Sequence, residues 1–344
     1  MNLTLLFGGK SFEHEISIVS AIAIKKLLSG VKYFIYLDGE RDFYLIAPQN
    51  MQSKYFSSGE FKKAQKIYPK KSGFYQKTIF GEKKLMLPPL LNIIHGADGE
   101  DGKLASMLDF FNIPFIGPRS EACILSFDKE LTKFLAKSRG INALPYQVLY
   151  QNAPIPQLQY PVIIKPARLG SSIGIEIIHK QEELQYALDV AFEFDSKVII
   201  EPFISGIKEY NLAGYKGRDG FHFSIIEEPQ KKEYLDFEKK YLDFSRTESS
   251  KEALLDEKLK DKLKDDFAKI YNNLFEGALI RCDFFIKEDE CYLNEINPIP
   301  GSLANYLFSD FKTDLQNLSQ NLPKQKEIKV EYNFLHKIQF AKGK

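Results

Sequence analysis

The sequence predicts a mixed fold: an open α/β sheet at the N-terminus, followed by α+β segments built on antiparallel strands. Two observations carry this. Within the first 117 residues a strand, a Gly-rich loop and a helix occur in that order twice, which is the grammar of an open α/β sheet. Beyond residue 160 the apolar runs are short, joined by turn residues and separated by two helical stretches, a pattern of antiparallel strand pairs. A length of 344 residues suggests two or three domains.

The elements follow in order. Leu3 to Phe7 reads as a buried strand ended by Gly8-Gly9. A helix begins near Glu13, with Ile16, Val19, Ala23 and Leu27 on one face. Leu90 to Ile94 is a second apolar strand. It runs into His95-Gly96, the loop 97–102 and a helix from about Leu104. Residues 50–85, rich in Lys, Ser, Gln and Tyr, read as a peripheral insertion. Gly117-Pro118 is a boundary, and Asp128 to Arg139 a short helix stopped by Gly140. Strands are expected over 161–166, 173–178 and 198–201, and a helix over 182–194. Antiparallel strands run from Glu209 to Glu228, a helix from Asp256 to Phe275, and a hairpin over 279–286 and 291–296. The polar, aromatic stretch 231–250 lacks periodicity, and loops of that length are often lids.

Composition narrows the function. A formal net charge of +1 argues against a protein that coats nucleic acid or an anionic membrane. No run approaches the roughly 18 apolar residues of a membrane span, and the start lacks a secretory pattern. Three cysteines without a CxxC pair suit reduced, buried thiols. With no Trp, the 28 Phe must supply much of the aromatic core.

Several constellations could carry chemistry. Strand alternation puts Arg281 with Asp283, and Glu295 with Asn297. A three-residue loop at 288–290 would set Asp283 opposite Glu295. Facing carboxylates repel, so the pattern is either a solvated charged face or a site for a divalent cation such as Mg²⁺. Lys165 to Gly174 is either a flexible Gly-Ser hairpin or a loop whose N–H groups, hydroxyls and Lys165 hold phosphate. Glu13 either stabilises a helix dipole or binds a substrate ammonium. His95 is either a satisfied, partly buried side chain or a residue facing ligand at a strand's carboxyl end. Glu238 to Tyr241 is either an exposed charged loop or part of a lid in which Lys240 reaches a phosphate. Gly9-Lys10-Ser11 is not a Walker A loop, because Thr4 stands where that motif needs glycine. No GxGxxG occurs, which leaves a dehydrogenase a distant reading.

Together these residues resemble the D-alanine–D-alanine ligases of the ATP-grasp superfamily. Gly8 to Ser17 resembles their first signature and His95 to Gly102 their second. Lys165 to Gly174, Lys240-Tyr241, Arg281-Cys282-Asp283 and Glu295-Ile296-Asn297 follow in the family's order. The resemblance spans residues 2 to about 310. It implies an ATP-grasp fold of three domains: an N-terminal open parallel α/β sheet (1–117), then two α+β domains (118–201 and 202–344) whose antiparallel sheets clasp ATP. Lys129, Lys165, Ser172 and Lys240 would hold phosphates. Glu201 and the backbone of Pro202, Phe203 and Ile204 would meet the adenine edge, Glu209 the ribose, and Phe203 and Phe285 the base. Two Mg²⁺ ions, or Mn²⁺ in their place, would sit on Asp283, Glu295 and Asn297. Glu13 would bind the ammonium of the first D-alanine, linked by hydrogen bonds to Ser171 and Tyr241, with Ile16 and His95 nearby. Arg281 and the Gly301 N–H would stabilise the oxyanion.

The resemblance further implies ligation through an acyl phosphate for peptidoglycan synthesis, in the cytoplasm, by a homodimer that uses D-alanine and ATP and no nucleic acid or membrane. Two positions depart from the family. Asn297-Pro298-Ile299-Pro300-Gly301 replaces Asn-Thr-x-Pro-Gly, and Tyr306 stands where a Ser usually contacts the second D-alanine. The rivals are a D-alanine–D-lactate ligase, disfavoured by Tyr241, and a nucleotide-binding ATP-grasp module without turnover.

Overall fold

The computed structural model describes residues 2–229 and 250–341. Its first layer is an eight-stranded sheet of order β6-β5-β4-β3-β2-β1-β7-β8. Strands β1 (Thr4–Gly8), β2 (Tyr33–Leu37), β7 (Leu90–Asn92) and β8 (Phe115–Ile116) are parallel. β1 is buried along its whole length, as a strand covered on both faces must be, which is why it reads as an unbroken apolar run. Helix α1 (His14–Leu27) buries Ile16, Ala21 and Ile24. The parallel part ends at β2. Strands β3 (Phe43–Ile46), β4 (Gln65–Lys70), β5 (Gly73–Thr78) and β6 (Gly81–Lys84) extend the sheet in antiparallel fashion, with the short helix α2 (Ser53–Ser57) between β3 and β4. The stretch 50–85 is therefore sheet rather than a shapeless insertion. Its strands are half-exposed and β6 is exposed throughout, so Lys, Gln and Tyr obscure the alternation.

Helices α3 (Lys103–Phe110), α4 (Ser120–Phe127) and α5 (Lys129–Ser138) lead to the second layer. Asp128 caps α5 by accepting from the N–H groups of Glu130 and Leu131, at 3.0 and 3.4 Å. The second sheet has order β11-β10-β12-β9, from β9 (Gln147–Tyr150), β10 (Val162–Pro166), β11 (Glu176–Ile178) and β12 (Lys197–Pro202). Helix α6 (Leu184–Phe192) covers one face through Leu184, Ala187, Leu188 and Ala191.

The third sheet, β14-β13-β15-β16, is antiparallel throughout. Its strands are β13 (Lys208–Lys216), β14 (Phe221–Glu227), β15 (Ile280–Lys287) and β16 (Glu290–Asn297). Helix α7 (Glu257–Tyr271) packs Leu263, Phe267, Ile270 and Tyr271 beneath it. Asp283 does lie opposite Glu295, and Arg281 opposite Asn297. The expected three-residue loop is not the reason. The turn is two residues, Glu288 and Asp289, both at positive φ, and a bulge between Asp283 and Phe284 restores the register. Helices α8 (Phe311–Ser319) and α9 (Leu335–Ala341) end the chain. Leu279, Ile299, Leu303, Phe311, Leu315 and Leu318 share one core with Leu5, Phe7 and Ile24. The C-terminal part thus locks onto the first sheet at the carboxyl end of its strands. The mixed α/β and α+β architecture expected from sequence is the one observed. Among the described residues no helix is long and apolar enough to cross a membrane.

Candidate active site

Three parts of the chain converge. The first is Glu13, just before α1 and buried. Ser11 holds this corner: its hydroxyl accepts from the Glu13 N–H at 2.8 Å and donates to the His95 carbonyl at 2.9 Å. Ser171, from the β10–β11 loop, donates to Glu13 Oε1 at 2.6 Å. Glu13 Oε2 is buried without a hydrogen-bond partner. Two glycines make the cradle. A Cβ on Gly96 would come within 2.7 Å of Glu13 Oε2, and one on Gly170 within 2.9 Å of Oε1. Only glycine lets the backbone approach so closely. Burial raises the Glu13 carboxyl above its usual range, with the Ser171 bond and nearby Lys129 opposing.

His95 is buried, with Nε2 3.0 Å from the Ser20 hydroxyl on α1. Burial pushes its pKa down to about 4, against a hydrogen bond with the Ile299 backbone. It is therefore neutral near pH 7, a junction between α1 and the loop after β16. Ile16 is fully buried.

The second part is the phosphate-loop candidate. Ser171 and Ser172 both adopt a left-handed φ of 56°, a strain of the kind that concentrates at functional sites. Lys129 donates to the Leu169 carbonyl at 2.6 Å, tying α5 to the base of this loop. Burial lowers the Lys129 ammonium, while Glu295 opposes that shift. Lys165 and Glu201 share a face of β10 and β12 and pair at 2.6 Å. Lys133 pairs with the other carboxylate oxygen. Burial would raise Glu201, but Lys165 and Lys133 prevail and hold it down to about 2. The Phe203 N–H donates to the Pro161 carbonyl at 3.0 Å, so that N–H is unavailable to an adenine edge. Pro202, Phe203 and Ile204 are half-buried.

The third part is a polar row across the third sheet: Glu227, Asn211, Asp283 and Glu295 are successive cross-strand partners and share one face. Arg281 grips Asp283 with both arms, Nε to Oδ1 at 2.7 Å and Nη2 to Oδ2 at 2.8 Å. Asn297 donates to Asp283 Oδ2 at 2.9 Å, and Arg281 Nη1 donates to the Tyr306 hydroxyl at 3.2 Å. The side-chain amide oxygen of Asn211 is buried without a hydrogen-bond partner. Burial raises the Asp283 carboxyl despite Arg281. Burial, then Asp283 and Glu295, push Glu209 up to about 7. Phe285 lies opposite Glu209. Gly301 opens a buried turn in which Ser302, Leu303 and Ala304 are all left-handed.

Glu295 is the hub. Its charge is felt by Glu13, Lys129, Lys165, Glu209, Arg281 and Asp283 alike, so residues far apart in sequence surround it. Among the described residues no three His, Cys, Asp or Glu side chains form a metal cage. Two facing carboxylates, an amide and an unpartnered amide carbonyl instead suit Mg²⁺, which keeps waters and shares substrate phosphates. Lys240 and Tyr241 lie outside the described residues. Lys133 and Asn211 were not singled out from sequence. The available signal for Lys133 was its place four residues after Lys129, on one helix face.

Two antiparallel sheets that converge on lysines and carboxylates, beside an α/β sheet, define an ATP-grasp ligase. Family models described as the D-ala D-ala ligase N-terminus and C-terminus match residues 2–118 and 135–314. The chain belongs to the D-alanine–D-alanine ligase family. It is 58% identical to the D-alanine–D-alanine ligase of Wolinella succinogenes, over 100% of both chains. It is 56% identical to that of Campylobacter jejuni subsp. jejuni, again over 100% of both. The crystal structure of the Helicobacter pylori D-alanine–D-alanine ligase superposes with a TM-score of 0.86 at 50% identity, covering 95% of this chain and 100% of that one. The VanG D-Ala:D-Ser ligase of Enterococcus faecalis, 22% identical, shares the fold with a TM-score of 0.70 over 93% and 97%.

Proposed function

We propose that the chain joins two D-alanine molecules with ATP, through an acyl phosphate, releasing ADP and phosphate, as a step toward peptidoglycan. The carrying observation is Glu13. Its carboxylate is buried, oriented by Ser171, roofed by Gly96 and Gly170, and left with one oxygen lacking a donor. A substrate ammonium supplies that donor and the counter-charge.

The other residues take these roles in this reading. The carboxylate of the first D-alanine attacks the γ-phosphorus, and ADP leaves. Lys129 and Lys165 neutralise the phosphates, with Ser172 and Lys240 as further donors. Glu201 and the segment Pro202 to Ile204 face the adenine edge, Glu209 the ribose, and Phe203 and Phe285 flank the base. Asp283, Glu295 and Asn297 would hold Mg²⁺, which neutralises phosphate charge when bound. The amine of the second D-alanine then attacks the acyl carbonyl, and phosphate leaves. Arg281 and the Gly301 N–H stabilise the charge on that carbonyl oxygen. For this, Arg281 must turn from its present grip on Asp283. His95, neutral and packed against Ile299, positions the first substrate's carboxylate. Domains at 1–117, 118–201 and 202–344, a homodimer and a cytoplasmic location go with this reading.

Phosphate release measured with D-alanine alone, and with D-alanine plus D-lactate, tests it. Dipeptide formed in the first mixture and little ester in the second near neutral pH is the expected result. Ester as the main product assigns the depsipeptide reaction instead. ADP binding without any D-alanine-dependent turnover marks a nucleotide-binding module.

A further inference from the structure

Glu201 sits between two buried ammonium groups. Lys165 reaches Oε2 from β10 at 2.6 Å, and Lys133 reaches Oε1 from α5. The side chains of Lys133 and Glu201 are each 3% exposed and that of Lys165 10%. The Lys133 contact is a charge pair without an aligned hydrogen bond, and its ammonium also lies 5.6 Å from the Tyr146 ring centre. The two lysines are not equivalent. Lys165 is the more exposed and stands one residue before the end of the strand that leads into the 167–174 loop, where an incoming anion would lie. Lys133, on α5, is shut away between Glu201 and Tyr146.

From this arrangement, and resting on the nucleotide-binding reading above, we propose that Lys133 is a positioning residue for the nucleotide: it holds the Glu201 carboxylate in place when Lys165 turns to the phosphates, and so sets the preference for a 6-amino purine. A buried carboxylate whose only cation is drawn away is strongly disfavoured. With one lysine, phosphate binding would have to break the pair that orients Glu201. With two, Lys165 is released while Lys133 stays. An anionic Glu201 accepts a hydrogen bond from a 6-amino group and repels a 6-oxo group, which offers only an acceptor. The surplus of one ammonium over one carboxylate is then the charge that meets the phosphates.

Calorimetric binding of ADP and of inosine diphosphate to the full chain, with Mg²⁺ and without D-alanine, tests this independently of ligation. In the unaltered protein ADP binds tighter. Lys133→Met and Lys133→Gln are each expected to weaken ADP at least tenfold and to narrow the ADP-to-inosine ratio about tenfold. Lys133→Arg should restore both. In D-alanine-dependent turnover the same variants should raise the KM for ATP with kcat within about twofold. If either neutral variant folds and keeps the ADP affinity and the base preference, Lys133 is only a structural pair and the proposal fails. It also fails if Lys133→Arg is as weak as the neutral variants. Absence of D-alanine-dependent turnover in the unaltered protein would instead overturn the ligase reading and leave the binding result to decide Lys133.

Discussion

The central and C-terminal sheets both bring buried carboxylates to the site, and they treat them in opposite ways. In the central sheet one carboxylate, Glu201, has two lysines and is held down to about 2, as the pairs with Lys165 and Lys133 outweigh burial. In the C-terminal sheet Asp283, Glu295 and Glu209 crowd around one guanidinium, Arg281. There burial leads, neighbouring carboxylates add to it, and Glu209 rises to about 7. One side carries surplus positive charge and the other surplus negative charge. That asymmetry suits a phosphate chain with a divalent cation on one flank: the central sheet would meet the anion, the C-terminal sheet the cation.

The contrast breaks most sharply at Glu295. Glu295→Gln should lower turnover by at least about a hundredfold, because it removes a charge that a bound cation needs. In chelator its melting temperature should hold or rise, since the repulsion of Glu13, Glu209 and Asp283 that is relieved offsets the attraction to Lys129, Lys165 and Arg281 that is lost. Lys165→Met should do the reverse to stability. It removes one charge-assisted hydrogen bond to Glu201 while Lys133 still pairs with it, and should cost about 2 kcal/mol, read in urea melts, together with a large rise in the KM for ATP. If both variants shifted chelated stability in the same direction, the two clusters would not differ as described.

Acid and base should separate the clusters as well. The folded pKa of Glu201 lies below its ordinary value of 4.5. Its contribution is present above 4.5 and is lost as pH falls toward about 2. The folded pKa of Glu209 lies above 4.5, so the stability linked to it is present below 4.5 and is lost as pH rises through about 7. Without nucleotide or Mg²⁺, Glu209→Gln should therefore flatten the decline between pH 5 and pH 8 and leave the acid limb unchanged. An unaltered slope in that variant would remove Glu209 from the crowded cluster.

These differences trace back unevenly to the sequence. The facing of Asp283 and Glu295 follows from strand alternation around a polar turn, and the register survived an incorrect loop length only because a bulge offset it. The contact between Glu13 and Ser171 spans 158 positions. No local pattern encodes such a contact, and it was reachable only through a family signature. Lys133 was obscured for another reason: its spacing from Lys129 marks a shared helix face but not burial. A lysine on a short amphipathic helix reads as solvated, and burial beside a carboxylate from another strand is a tertiary fact. Asn211 was hidden in the same way, as one polar residue in a strand whose neighbours supply the rest of the row. The strands of 50–85 were missed because half-exposed positions carry little hydrophobic period.

The smallest test concerns the one cation of the crowded side. Arg281 donates to the Tyr306 hydroxyl at 3.2 Å while both its other arms hold Asp283. If the cation-poor side is poised to release Arg281 to substrate, Tyr306 helps hold the guanidinium at the right height. Tyr306→Phe removes one hydrogen bond to a charged group, about 1 kcal/mol at this length. The KM for the second D-alanine should rise about fivefold, with the KM for ATP unchanged, because the phosphates belong to the lysine-rich sheet. Steady-state kinetics with each substrate varied in turn separates the two. A rise confined to ATP would mean that Tyr306 and Arg281 serve the nucleotide, and that the division of labour between the sheets is drawn in the wrong place.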